Sequence, residues 1–99
     1  LQHLVRKAIW RGDIAEAAER YLTFTLRPLV ELMRIRYCPD RFDFGMRYLR
    51  SDLPEPAWRA VESIALPGSL AELAAHHAAA LALFDMELAG LRSDQSVRV

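Results

Sequence analysis

Apolar positions recur every three to four residues along nearly the whole chain, and no alternation of period two persists. That pattern predicts helices and no strand. Leu1, Leu4, Val5, Ala8 and Ile9 share one side of a first helix over residues 1–11, and Gly12 ends it. Asp13, with Glu16 three residues on, makes a capping box and opens a long second helix reaching Tyr37. Its polar residues Asp13, Glu16, Arg20, Arg27, Glu31 and Arg34 fall on one face. Glu16–Arg20 and Arg27–Glu31 are opposite charges at i,i+4, placed to pair. Leu22, Leu26, Leu29 and Met33 form the apolar stripe, widened by Ile14, Ala17, Ala18, Tyr21, Leu32 and Ile35. Pro28 lies inside this helix. It lacks a backbone N–H and its ring crowds the preceding turn, so a kink or break is expected between Thr25 and Pro28.

Cys38-Pro39 stops the second helix, because the residue before proline is pushed away from helical angles. An irregular elbow follows to about Ser51. Ser51 or Asp52 then caps a third helix to about Ala65, with Pro54 in its first turn and Trp58, Val61, Ile64 and Ala65 on its apolar face. Pro67-Gly68 separates it from a fourth helix, opened by a second capping box, Ser69 with Glu72. Leu73, His77, Leu81, Phe84, Leu88 and Leu91 form the stripe of that helix, which is expected to end near Arg92. Residues 93–99 read as a flexible tail. The fold expected is all-α: one domain over residues 1–92, an up-and-down bundle of four to five helices, with a long second helix kinked at Pro28 and a long last helix.

Composition narrows the function classes. The 99 residues are 53% hydrophobic and 26% charged, which suits one small globular core. Thirteen basic residues balance thirteen acidic ones, so the basic excess typical of a nucleic-acid-binding domain is missing. No apolar run reaches the roughly 18 residues of a membrane span. The single cysteine, Cys38, cannot form an internal disulfide, and a cytoplasmic setting is expected. His76 and His77 are adjacent on a helix and point about 100° apart, so they cannot share a metal. His77, on the apolar stripe, reads as a partly buried histidine with one hydrogen bond. Gly68-Ser69 is followed by no Asp-x-Asp pair, so a two-metal phosphoryl-transfer site has no support here. The chain supplies no catalytic residue and no metal ligand set by sequence. It does not begin with methionine, which fits a piece of a longer protein.

One segment departs from this plain pattern. Arg34 to Pro54 holds five arginines, four aromatics, a cysteine, a glycine and two prolines. Arg36 falls on the apolar side of its helix, where a guanidinium must snorkel out, pair with a carboxylate or meet an anion. Arg41, Arg47 and Arg50 interleave with Phe42, Phe44 and Tyr48, while Asp40, Asp43 and Asp52 are near enough in sequence to neutralise most of them. Gly45 suggests a positive φ that would aim the loop. Two readings follow: a salt-bridged, aromatic-filled loop at the bundle end, or a recognition site for an anionic group such as phosphate.

Tyr37-Cys38-Pro39-x-Arg41, Asp43-x-Gly45-x-Arg47-Tyr48-Leu49 and Asp52-Leu53-Pro54 together resemble the helical C-terminal domain of bacterial nucleotidyltransferase-fold proteins, kanamycin-nucleotidyltransferase-like relatives among them. The Leu- and Arg-rich helix from Leu29 to Tyr37 is similar as well. The resemblance spans Trp10 to Leu91, with its specificity in the elbow. It implies a substrate-binding helical domain that positions nucleotide or acceptor for an N-terminal catalytic domain. That domain would carry the Gly-Ser and the metal-binding acids, and Mg2+ with a nucleoside triphosphate would belong to the parent protein. A small-molecule substrate and a homodimer are implied partners. Arg36, Tyr37, Arg41, Arg47 and Tyr48 would face nucleotide or acceptor, and Asp43 would orient an arginine or bind a cationic acceptor. Such a site works by positioning and charge stabilisation. The alternative is a non-catalytic helical interaction or dimerisation module.

Overall fold

The computed structural model describes residues 1–97. Six α-helices carry the fold: α1 (Gln2–Arg11), α2 (Ile14–Tyr21), α3 (Arg27–Tyr37), α4 (Leu49–Asp52), α5 (Glu55–Ala65) and α6 (Leu70–Val97). A π-helical turn, Leu22–Leu26, joins α2 to α3, and a 3₁₀ segment, Pro39–Phe44, follows α3. Among the described residues there is no strand, and no helix is long and apolar enough to cross a membrane. The architecture is an all-α bundle, as the periodicity predicts.

Several helix ends form where the sequence places them. Gly12 takes a left-handed φ of 78° and donates its N–H to Ile9 O at 3.0 Å. Asp13 Oδ1 accepts from the Glu16 N–H at 3.3 Å. Glu16 does not close the box in return, because Arg11 and Arg20 hold its carboxylate at 2.6 and 2.9 Å. At α6, Ser69 Oγ accepts from the Glu72 N–H at 3.1 Å, and Glu72 accepts from the Gly68 N–H at 2.5 Å.

Pro28 leaves the chain helical and changes its winding. The Arg27 N–H reaches back five residues to Leu22 O, so the turn before the proline is wider than an α turn. The carbonyl that Pro28 cannot serve is that of Phe24, four residues earlier. Gln2 Nε2 donates to it at 2.9 Å. Gln2 Oε1 in turn accepts from Thr25 Oγ1 at 2.6 Å and from His77 Nε2 at 2.8 Å. Because an amide oxygen only accepts, His77 carries its proton on Nε2. One glutamine thus ties α1, the π turn and α6 together at the point where the backbone ladder is interrupted. Beside it, Tyr21 Oη donates to Ile64 O at 2.7 Å, and burial pushes the Tyr21 phenol up to about 12.

α6 is the spine. Its 28 residues span roughly 42 Å, and it packs against α1, α2, the π turn, α3 and α5. Val5, Ala17, Tyr21, Leu26, Leu29, Met33, Val61 and Leu73 are almost fully buried at the centre. The buried line on α6 is Leu73, His77, Ala80 and Glu87. Leu81 and Leu88, placed on the stripe by the sequence, are only half-buried. Ala80 and Glu87 take the inner positions, the first by letting helices approach closely and the second by meeting an arginine. α6 also continues past Arg92 to Val97. Of the expected tail, residues 93–97 are helical, and residues 98 and 99 lie outside the described residues. The start of the third helix differs too. α5 begins at Glu55 with Pro54 as its N-cap, and Asp52 closes the short α4 instead of capping α5.

Candidate functional site

The elbow is organised by an arginine that helical periodicity assigns to solvent. Arg34 is 0% exposed. The chain after α3 folds back over the end of that helix's polar face and covers Arg34, while Arg27 and Glu31 stay exposed. The guanidinium then serves the loop from below. Nε donates to Gly45 O at 2.8 Å and Nη1 to Arg41 O at 3.4 Å. Nη2 donates to Arg47 O, and Nη1 pairs with Asp52 at 2.7 Å. A weak contact to Cys38 Sγ lies at 3.7 Å. An irregular segment has carbonyls with no ladder to join, and Arg34 supplies the donors for three of them. Gly45, at φ 64° as its residue type suggests, turns its carbonyl toward Nε.

Asp52 is the common carboxylate of this end. Arg41 Nε reaches the same oxygen at 2.9 Å. The Arg34 hydrogen bond, helped by that of Arg41, holds the Asp52 carboxyl below its ordinary range. That is why Asp52 is not available as a helix cap. Above this layer lie the aromatics. The Arg41 guanidinium sits 4.3 Å from the Phe44 ring centre and 5.4 Å from that of Tyr48. Arg47 lies 5.1 Å from the Phe44 ring and donates Nε to Phe44 O at 3.2 Å. Tyr48, 60% exposed, adopts a left-handed φ of 62° that is uncommon for a bulky residue. Its carbonyl accepts from the N–H groups of Ser51 and Asp52 and from Ser51 Oγ, which holds that conformation.

Arg36 belongs to a different seam. Of the options its position left open, the structure shows pairing: Glu87 at 2.9 Å and Asp94 at 3.1 Å, both on α6. Glu87 is itself 4% exposed, so two charges off their expected faces meet between α3 and α6. Their carboxylates push the Arg36 guanidinium pKa up, and burial followed by the Glu87 charge raises Tyr37. The guanidinium lies where a Cβ on Gly90 would be. This explains a glycine in the interior of α6, where alanine would ordinarily stabilise the helix by about 1 kcal/mol. Gly90→Ala is therefore expected to fall short of that gain in urea unfolding, because the guanidinium tip must shift to admit the methyl. A full gain of about 1 kcal/mol would show that Arg36 does not need the bay.

The acids expected to neutralise the elbow do so only in part. Asp52 does, but Arg36 and Arg50 find their carboxylates outside it, Arg50 on Glu62 at 2.8 and 3.0 Å. Asp43 is exposed and meets no cation among the described residues. The expected Arg27–Glu31 pair is also unmade among the described residues. The six candidate residues do not converge on one point. Asp43 and Arg47 line a cleft of about 420 Å³ between α3 and the elbow, with Arg27, Val30, Glu31, Phe42, Phe44, Gly45 and Met46. Arg36 and Tyr37 line another of about 240 Å³ between α3, α5 and α6. Tyr48 borders a third of about 460 Å³ beside Arg50 and Val61. Arg41 is held behind the rim by Asp52. The residues that organise this region and that sequence reasoning missed are Arg34 and Glu87. The signal for Arg34 was the elbow's unmet carbonyls, next to a five-donor side chain in the preceding helical turn.

Fold and site together define an all-α helical bundle with an arginine-pinned elbow at one end. No family model, curated protein or solved structure matches the chain.

Proposed function

We propose that this chain is a helical substrate-positioning domain that works with a nucleotidyl-transfer centre on an N-terminal catalytic domain. The observation that carries the reading is the elbow: buried Arg34 fixes its backbone from beneath, so that Arg47 and Asp43 stand preset at the rim of an open cleft. Preset geometry is what a positioning domain contributes, since it removes the orientational cost of bringing substrate to a reacting centre. Two guanidinium and two carboxylate groups line the cleft. A nucleoside triphosphate is a polyanion and would meet those two acids, which favours the acceptor over the nucleotide as occupant. Among the described residues no group of His, Cys, Asp and Glu is placed to hold a metal ion. In this reading the Mg2+ of such a reaction is carried by the catalytic domain.

In the full protein, Arg47→Ala is expected to raise the acceptor KM about tenfold, leaving the nucleotide KM and kcat near their starting values. An unchanged acceptor KM, with a change in oligomeric mass instead, would overturn the reading. That outcome would favour an interaction or homodimerisation module, which one observation supports. Ala71, Ala74, Ala75, Ala78, Ala79 and Ala82 are all exposed on α6, and alanines let a second helix approach closely.

A further inference from the structure

We infer that the cleft between α3 and the elbow takes a small zwitterion: a molecule with a protonated amine, an anionic group and an apolar body. This rests on reading that cleft as the binding site. Arg27 and Glu31 stand at i,i+4 on α3, the spacing at which opposite charges usually pair, yet they do not. Asp43, across the cleft, also has no cation among the described residues. Arg47 is steadied by the Phe44 carbonyl at 3.2 Å and by the Phe44 ring, but no carboxylate among the described residues meets it. Elsewhere on the surface neighbouring unlike charges do pair, as in Arg11–Glu16–Arg20, Arg50–Glu62 and Arg59–Glu55. In this concavity four charges, two of each sign, stand without an ion pair among the described residues.

The charges decide the ligand class. A simple anion drawn to Arg27 and Arg47 would face Glu31 and Asp43, and a simple cation would face the reverse. A zwitterion satisfies both signs at once, with charge-assisted hydrogen bonds to each. Phe42, 51% exposed, and Met46, 40% exposed, line the cleft, so an apolar body has surface to cover. Hydrophobic α-amino acids and aminoalkyl phosphates share this chemistry.

The test uses the 99-residue chain and amide chemical-shift titration with four probes. L-Leucine and O-phosphoethanolamine are the zwitterions. 3-Methylbutylamine and 4-methylpentanoate are leucine without its carboxylate and without its amine. A zwitterion is expected to shift the amides of Arg27, Gly45 and Arg47 and to bind at least tenfold tighter than either half. Whether leucine or O-phosphoethanolamine binds tighter tells carboxylate from phosphate. Asp43→Asn and Arg47→Gln, both at exposed side chains, are each expected to weaken zwitterion binding about fivefold or more. If one half binds as tightly as leucine, the site reads a single charge and the inference is wrong, while the acceptor KM of the full protein still judges the positioning role. If no zwitterion shifts the cleft amides, the inference is overturned whatever that KM shows.

Discussion

An Arg34→Met variant is expected to lose about 3 kcal/mol of unfolding free energy, the scale seen when one partner of a buried ion pair is removed. Methionine fills much of the same space, so the loss reports chemistry more than volume. The Gly45, Arg41 and Arg47 carbonyls would lose the buried donor that serves them. Asp52 would retain only Arg41. Arg34→Lys keeps the charge but gives up the planar fork, and is expected to fall between the two. Urea unfolding measures the loss, and amide exchange at 39–48 locates it, since the elbow should open while α6 stays protected. A midpoint shift equivalent to less than about 0.5 kcal/mol, the scale of an ordinary surface substitution, would mean that Arg34 is not the anchor. Arg34→Met combined with Asp52→Leu should recover part of the loss, as buried pairs replaced by apolar groups often do.

Gln2→Ala is expected to cost about 2–3 kcal/mol, although it changes the second residue of the chain, because three polar partners lose their bonds together. Phe24 O, Thr25 Oγ1 and His77 Nε2 all depend on that amide. Val5 and Ala8, at 0% exposure, place α1 firmly in the core, so the change should appear in global unfolding and not only as fraying. The same cluster sets an acid limit. Burial, and to a lesser degree the charge of Arg6, depresses His77 below its ordinary 6.5. The unfolded chain therefore takes up a proton at a pH where the folded chain does not. Stability is greatest above about 6.5 and falls as the pH drops below it, until the folded histidine also titrates. Asp52, held below its usual 3.8, withdraws its contribution in the same direction but only in stronger acid. His77→Gln should flatten the slope between about pH 7 and 5 and leave the stronger-acid limb intact. An unchanged slope would exclude His77 as its source.

Helix ends were the most legible part of this sequence. Gly12, Cys38-Pro39, Pro67-Gly68 and the Asp13 and Ser69 caps act within a turn of themselves, so local chemistry decides them. What covers a face is not local. Asp13, Glu16, Arg20, Arg27, Glu31 and Arg34 look alike on a wheel, yet Arg34 ends at zero exposure because the chain returns over it. Arg36 was legible as an anomaly, but its partner Glu87 lies 51 residues on. Pro28 announced a disturbance, while the glutamine that repairs it stands 22 residues before Phe24. The 34–54 segment was legible as dense in arginines and aromatics. How its charges divide among Asp52, Glu62 and Glu87 depended on helices folded against it from elsewhere in the chain.

The turn before Pro28 has one further consequence. A turn wound more widely than an α turn puts the residues after it out of phase with those before it. The stretch from Ile14 to Tyr37 is thus one continuous rod with a change of phase in its middle. Its first half is aimed at α1 and its second at the elbow, with α6 alongside both. A single peptide rod can therefore address two neighbours lying in different directions, with no loop between its halves to loosen the angle.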